Sequence, residues 1–117
     1  MPEPSGTRRR FTLEEARQLL PTVKRLTAQA VHEADALIAR LHNLPEDDPT
    51  HVALAARVQQ VIAEWARHVT SLDGEVKGLW LVDFDNGEGY YCWCYPEETL
   101  SHFHGYEDGF AGRMKIV

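Results

Sequence analysis

Residues 78–113, GLWLVDFDNGEGYYCWCYPEETLSHFHGYEDGFAGR, decide the fold of this chain of 117 residues. They hold nine of the eleven aromatic residues, both cysteines and two of the six histidines. Two apolar runs, 79–85 and 88–95, flank the dipeptide Asn86-Gly87, and this pattern is typical of a β-hairpin closed by a type I′ turn. We therefore predict a β-meander over residues 78–104, with a third strand near its end.

A turn centred on Asn86-Gly87 would pair Asp83 with Tyr90 and Leu81 with Cys92. Side chains alternate along a strand, so the two faces of the hairpin can be assigned. One face would carry Leu79, Leu81, Asp83, Tyr90, Cys92 and Cys94. The other would carry Trp80, Val82, Phe84, Tyr91, Trp93 and Tyr95. Both faces are largely apolar, so we expect both to be covered.

The residues before this stretch are amphipathic. Thr12 and Glu15 fit a capping box ahead of apolar residues spaced by three and four, which predicts a helix over 11–43. Pro21 has no backbone donor and predicts either a kink or a short first helix followed by a longer one. Asp48-Pro49 fits the N-cap and first position of a second helix, over 49–73. The short loop between the helices makes them antiparallel.

Together these elements predict an α+β fold, in which a long antiparallel helical hairpin packs on a small antiparallel β-hairpin or three-stranded sheet. We expect one domain over residues 11–117, a disordered tail at 1–10 and an irregular, Gly-rich tail at 105–117. A helix over 11–43 would be about 45–50 Å long. The rest of the chain covers such a helix poorly, so we expect a homodimer through the helices. The alternative is that the β region covers them within one chain.

Composition limits the partners. The formal net charge of −6 disfavours binding to a nucleic-acid backbone, which needs a basic surface. No apolar run approaches the roughly 20 residues that span a bilayer, and the start of the chain lacks the apolar segment of a secretory signal. Two cysteines spaced as Cys92-x-Cys94 form no disulfide framework. We therefore expect a cytoplasmic protein with no nucleic-acid or membrane partner.

Several short motifs recur in a known family. They are Phe11-Thr12, Glu15-Ala16, Leu20-Pro21, Glu75-Val76-Lys77, Leu81-Val82-Asp83-Phe84, Cys92-Trp93, Glu97, Phe103-His104 and Gly109-Phe110-Ala111-Gly112-Arg113. With them, residues 11–117 resemble domain of unknown function 2203, an uncharacterised prokaryotic family in which the pattern is commonly GLVDF, LCW, an aromatic-His pair and GFAGR.

The chain departs from the family pattern in three ways. Trp80 stands where the family usually has glycine, the hairpin turn is shorter, and Cys94 and His102 match no motif position. The family has no established activity to transfer. The resemblance implies only which positions matter, and these are Glu15, Asp83, Cys92, His104 and Arg113.

The histidines of the last predicted strand suggest metal binding. His102 and His104 are two residues apart, so their imidazoles would share one face and could share a divalent metal ion. Asp83 offers a carboxylate, and Glu15 could reach the site from the first helix. The alternative is that His104 hydrogen-bonds Asp83 or Glu15 and holds the sheet to the helices.

Cys92 and Arg113 also have two interpretations each. Cys92 is expected to be a small buried residue, and the alternative is a nucleophile with His104 as its base. Residues 109–113 could present backbone N–H groups and the Arg113 guanidinium to an anion. The alternative is a tight turn in which Arg113 pairs with a buried carboxylate such as Asp83.

Two functions follow. The favoured one is a dimeric binding or structural module that engages a protein partner, with Glu15, Asp83, His104 and Arg113 as a buried polar network. A non-enzymatic role is favoured, and enzymatic activity is left open. The other is a divalent-metal-binding protein, with or without catalysis, in which His104 and nearby carboxylates are ligands. No phosphate-binding loop, dinucleotide fingerprint or hydrolase elbow is present in the sequence.

Overall fold

The computed structural model describes residues 9–116. The predicted tail at 1–10 lies outside this range except for Arg9 and Arg10. The chain forms two helices, α1 (Leu13–Leu41) and α2 (Pro49–Ser71). Five strands follow: β1 (Glu75–Gly78), β2 (Leu81–Asp85), β3 (Gly89–Cys94), β4 (His102–Gly105) and β5 (Met114–Lys115). The α+β prediction is confirmed, but the sheet has five strands rather than two or three.

The helical hairpin begins with the predicted cap. Glu15 N–H donates to the Thr12 hydroxyl at 3.1 Å, and Thr12 N–H donates to the Glu15 carboxylate at 2.9 Å. α1 continues through Pro21, so the predicted alternative of a short first helix does not occur. Asp48 caps α2 by accepting from Thr50 N–H, with Pro49 in the first turn.

A buried polar contact links the two helices. The indole N–H of Trp65 on α2 donates to the Thr27 hydroxyl on α1 at 2.8 Å, and that hydroxyl donates to the Val23 carbonyl at 2.7 Å. Both hydrogen-bonding groups of the Thr27 hydroxyl are therefore satisfied inside the hairpin. The contact fixes the helices against each other, because leaving a buried donor unpaired costs about 1–3 kcal/mol.

The sheet is an antiparallel meander in the order β1-β2-β3-β4-β5. The predictions missed its two edge strands. β1, with the sequence EVKG, is too short and too polar to show an apolar alternation. β5 has two residues and follows a 3-10 helix, Phe110–Gly112, in the segment predicted to be an irregular tail. The prediction of an irregular segment throughout 105–117 is therefore wrong.

The hairpin between β2 and β3 differs from its predicted register. Asp85 pairs with Tyr90 and Asp83 with Cys92, where the prediction paired Asp83 with Tyr90. Asn86 N–H donates to the Gly89 carbonyl, so Gly87 and Glu88 are the two central residues of the turn. Of these only Gly87 has a left-handed φ, +94°. Gly87 is therefore the first central residue, whereas the predicted type I′ turn placed it second. The cause lies in Asn86, whose side-chain oxygen accepts the N–H groups of Glu88 and Gly89 at 2.8 Å. The register moves by two residues, so the side chains within β2 and β3 keep their predicted faces.

The two faces of the sheet have different coverings. The inner face, which carries Val82, Phe84 and Trp93, packs into one apolar core with α1 and α2. The outer face carries Asp83, Cys92 and His104 and is covered by residues 106–113. Tyr106 holds this covering segment in place, because its hydroxyl donates to Asp85 at 2.8 Å and its ring packs edge-on against Tyr90.

A tight corner joins β1 to β2. Trp80 lies in this corner with φ +60°, a left-handed conformation that bulky residues rarely adopt. Its indole packs edge-on against Trp65 of α2, with 4.9 Å between ring centroids. The corner thus connects the sheet to the second helix.

Candidate functional site

The centre of the outer face is a buried pair of ionisable side chains. Asp83 on β2 is 1% exposed and His104 on β4 is 3% exposed. Asp83 Oδ2 lies 2.8 Å from His104 Nε2, and the other ring nitrogen, Nδ1, lies 2.7 Å from the Gly105 carbonyl oxygen. β3 runs between their two strands. Gly89 lets β3 approach β4 closely, because a Cβ at this position would lie 2.5 Å from the His104 carbonyl oxygen.

The geometry fixes the protons of the pair. A carbonyl oxygen can only accept, so His104 Nδ1 must carry a hydrogen. Nε2 and Oδ2 are also at hydrogen-bond distance, so a second proton lies between them. The pair is therefore either a carboxylic acid beside a neutral imidazole or a carboxylate beside an imidazolium. Burial raises the pKa of Asp83, although Cys92, His104 and Lys77 oppose the shift.

Cys92 lies beside this pair on β3. Its thiol is fully buried, and burial together with the neighbouring Asp83 raises its pKa far above the usual range, against the opposing effect of Arg113. Donor atoms of Asp83, Cys92 and His104 all lie within 4.8 Å of one another. Both nitrogens of His104 face other groups, Asp83 and the Gly105 carbonyl. The arrangement therefore lacks the activated thiolate and the thiol-facing base that nucleophilic catalysis by Cys92 would need.

A small cavity borders the pair. It has a volume of about 250 Å³. Its lining consists of Lys77, Leu81, Asp83, Tyr90, His104, Tyr106, Gly109 and Phe110. The Lys77 amine lies 3.2 Å from the Tyr90 hydroxyl and 3.3 Å from Glu75, so its charge is held at the rim. Asp83 Oδ1 is buried and accepts no hydrogen bond from a nitrogen or oxygen donor within residues 9–116, and the neighbour of the carboxyl group on this side of the pair is the weak thiol donor of Cys92.

A second polar cluster lies beside the first. Arg113 forms an ion pair with Glu97, whose other oxygen accepts Cys94 N–H at 2.9 Å. The carboxylate that pairs with Arg113 is therefore Glu97 and not Asp83, which was the example named for the tight-turn interpretation. His102 Nδ1 lies 3.8 Å from the Glu97 carboxylate. His102 and His104 thus share a face, as the spacing predicts, but they approach different carboxylates.

Glu15 lies apart from these clusters. Its side chain is exposed at the start of α1, where it caps the Thr12 N–H, and α1 packs on the inner face of the sheet. Of the five positions named from the sequence, the fold brings together Asp83, Cys92 and His104, with Arg113 next to Cys92. Lys77 and Tyr90 were missed as parts of the site. Assigning residues 75–78 to a strand would have placed Lys77 on the same face as Asp83.

A larger groove of about 600 Å³ lies between α1 and residues 98–101. Its basic side chains are already engaged: Arg17 donates two hydrogen bonds to the Leu100 carbonyl, and Lys24 donates to the Glu98 carbonyl. These contacts fasten the loop to the helix. We therefore place the candidate site at the smaller cavity, where a buried carboxyl group with a raised pKa borders open space.

A helical hairpin beneath a five-stranded meander, with a buried Asp-His-Cys cluster on the outer face, defines a small α+β module with a candidate binding site. The chain belongs to the DUF2203 family of uncharacterized conserved proteins, whose family model matches residues 9–116. Comparisons with curated proteins and with solved structures gave no significant match. Within the described residues, no helix is long and apolar enough to cross a membrane. Membership in this uncharacterized family assigns no reaction to the chain.

Proposed function

We propose that this protein is a small binding module rather than an enzyme, and that it binds its ligand in the outer-face cavity above Asp83 and His104. One observation carries the proposal. A fully buried carboxyl-imidazole pair, with one carboxyl oxygen unpartnered within residues 9–116, borders a cavity of about 250 Å³.

The energetics of buried charge support this proposal. Replacing a buried ion pair by apolar side chains is often neutral or stabilising, so such a pair is weak evidence for a purely structural role. A cavity with convergent polar groups and a perturbed pKa is instead the usual mark of a binding site. Asp83, His104 and Tyr90 provide the polar groups here, and Phe110 and Tyr106 provide the apolar wall.

The state of Cys92 argues against covalent catalysis. A thiol becomes a nucleophile when a neighbouring base or cation lowers its pKa. Burial and Asp83 raise the pKa of Cys92 instead, and the described residues place no free imidazole nitrogen beside it. The site is therefore better suited to holding a ligand than to attacking one.

The proposal includes a homodimer formed through the helices. Ile38 near the end of α1 and Val52 near the start of α2 are exposed apolar residues at the same end of the hairpin. The sheet begins after the opposite end of α2 and therefore lies away from Ile38 and Val52. The helical hairpin of a second chain could cover these two residues and complete a four-helix arrangement. Two free cysteines suit a reducing, cytoplasmic location, and the net charge of −6 disfavours a nucleic-acid partner.

Native mass spectrometry of untagged full-length protein, purified without chelators, tests both parts. We expect two chains per particle, each retaining a non-covalent mass that is lost in Asp83→Asn. His102→Gln is the matched control, because His102 lies on the same strand and face but does not line the cavity, so this variant should keep the mass. A monomer at micromolar concentration would overturn the dimer. An empty particle, or a mass that survives Asp83→Asn, would overturn the cavity as the binding site.

A second candidate function is divalent-metal binding. The ligand set expected from the sequence, His104, His102, Asp83 and Glu15, is weakened because Glu15 caps α1 and His102 faces Glu97. The observation that favours a metal is the convergence of Cys92 with Asp83 and His104.

A further inference from the structure

We propose that Asp83, Cys92 and His104 form a zinc site with three protein ligands and a fourth position open to the outer-face cavity. This inference rests on the proposed binding function and names the class of its ligand. Nitrogen, sulfur and carboxylate oxygen are the donors that Zn²⁺ prefers, and three protein ligands with one open position are typical of zinc sites that exchange a ligand.

The distances suit a tetrahedral ion. Zinc bonds of about 2.0–2.3 Å place neighbouring donor atoms roughly 3.3–3.7 Å apart. The three donor atoms already lie within 4.8 Å of one another. They project from β2, β3 and β4, three adjacent strands, and Asp83 and Cys92 are direct cross-strand partners. Binding of an ion would require the 2.8 Å contact between Asp83 and His104 to lengthen.

His104 has the orientation of a metal ligand. Metal-binding histidines usually donate the hydrogen of the second ring nitrogen to a carbonyl or carboxylate, which fixes the tautomer and directs the lone pair at the metal. The Nδ1 hydrogen of His104 points to the Gly105 carbonyl in this way. His104 Nε2 is therefore directed at Asp83, and the two atoms share one proton in the metal-free protein. Zn²⁺ would take the place of that proton.

The charges balance in both states. Without metal, Cys92 is a neutral thiol and the Asp83-His104 pair, with its shared proton, has no net charge. Binding of Zn²⁺ releases the thiol proton and the shared proton to solvent and leaves a carboxylate, a thiolate and a neutral imidazole around the ion. The buried site is thus neutral before and after binding. The positive charges of the two nearby basic side chains are neutralised as well. Arg113 forms an ion pair with Glu97, and Lys77 forms one with Glu75.

The cavity supplies the open coordination position. Asp83 and His104 both line it, so an ion held by them borders the empty volume. The Lys77 amine lines the same cavity, and its charge is offset by Glu75. The open position would therefore take a neutral ligand such as water.

Cobalt(II) is the probe for this site, because it adopts the geometry of zinc and absorbs light. We expect chelator-treated, full-length protein to bind one Co²⁺ per chain, with a thiolate-to-cobalt charge-transfer band that Zn²⁺ abolishes. Cys92→Ser should lose the band and weaken Co²⁺ binding by about 100-fold or more. Cys94→Ser is the matched control, because Cys94 lies on the same strand and face outside the cluster, and it should behave like the wild type.

Calorimetry in two buffers of different ionisation enthalpy should count two protons released per Zn²⁺ bound. The inference is overturned if no saturable binding occurs, or if the cobalt band disappears in Cys94→Ser and persists in Cys92→Ser. Circular dichroism checks that each variant folds. If Cys92→Ser does not fold, Asp83→Asn keeps the side-chain shape and takes its place, and unchanged Co²⁺ affinity in that variant would also overturn the site.

These outcomes separate the inference from the proposed function. A metal-free organic mass retained in native mass spectrometry, with no cobalt binding, overturns the zinc site and leaves the binding cavity in place. Absence of both a retained mass and cobalt binding overturns both proposals.

Discussion

The two faces of the sheet are equally buried and chemically opposite. On β2, Val82 and Phe84 of the inner face are 0% exposed, and Asp83 of the outer face is 1% exposed. β3 repeats the pattern, because Trp93 of the inner face and Cys92 of the outer face are both 0% exposed. The inner face is covered by two long helices, whereas the outer face is covered by residues 106–113. Solvent exposure alone therefore does not separate the core from the candidate site.

Hydrogen-bond satisfaction does separate them. Within residues 9–116, the buried side-chain atoms that lack a partner are Asp83 Oδ1, His102 Nδ1 and Arg113 Nη1. All three belong to the outer face or its cover, and the inner face contributes none. A buried polar atom without a partner costs about 1–3 kcal/mol. Among the described residues, the unpaired buried atoms therefore lie on the outer face and its cover, whereas the inner face is part of the apolar core.

The largest effect should come from truncating the inner face. Trp93→Ala removes a fully buried indole and its hydrogen bond to the Glu97 carbonyl, so we expect the free energy of unfolding to fall by about 3–5 kcal/mol. Cys92→Ala, one residue away and equally buried on the other face, should cost about 1 kcal/mol. Urea unfolding measures both. Equal losses would remove the distinction between the faces.

The next effect concerns the buried pair. His104→Leu leaves the Asp83 carboxyl group buried without its partner and should cost about 3 kcal/mol. The double variant Asp83→Leu/His104→Leu should return to within about 1 kcal/mol of the wild type, because apolar side chains replace both groups and the cavity gives them room. Thermal and urea unfolding of both variants test this. A double variant as unstable as the sum of its single substitutions would show that the pair is structural.

Thiol reactivity gives a smaller, kinetic difference within the outer face. Burial raises the pKa of both thiols, but Cys94 is only half-buried whereas Cys92 is fully buried. Iodoacetamide at pH 8 should therefore modify Cys94 at least about 100-fold faster than Cys92, since Cys92 reacts only after local opening. Peptide mass mapping over time measures the two rates. Equal rates would mean that Cys92 is not protected by burial.

The smallest effect should come from the helix cap. Thr12→Ala removes the side-chain acceptor for Glu15 N–H and should lower stability by about 1 kcal/mol. Glu15→Gln preserves the capping box and should change stability by only a few tenths of a kcal/mol. Neither should alter Co²⁺ binding, because α1 packs on the inner face. Cobalt titration of Glu15→Gln tests this directly, and weakened binding would bring Glu15 back into the site.

The fold was predictable where local chemistry is strong. The Thr12-Glu15 capping box, the Asp48-Pro49 start of α2 and the alternation along β2 and β3 each occur where the sequence places them. The edge strands were not predictable, because a four-residue and a two-residue strand carry no pattern of their own and depend on a neighbour for pairing. The turn was misassigned because the Asn86 side chain competes with the backbone for the loop N–H groups.

The candidate site was predictable where its residues lie in strands with a clear alternation of side chains. Alternation places Asp83 and Cys92 on one face, and the family motifs point to both and to His104. The partner of Arg113 was not predictable, because Glu97 reaches it only after the chain turns beyond β3. The separation of Glu15 from the cluster depends on which face of the sheet the helices cover. Both faces of the β-hairpin are apolar in the sequence, so the covered face could not be predicted.

The left-handed Trp80 has an optical consequence. Glycine adopts φ +60° freely, whereas tryptophan adopts it at a cost of about 1–2 kcal/mol. The edge-on contact with Trp65 offsets about 0.5–1.5 kcal/mol of that cost. Two indoles with centroids 4.9 Å apart couple their electronic transitions, so this chain should show an exciton couplet in its circular dichroism spectrum. The couplet reports when the β1–β2 corner docks on α2.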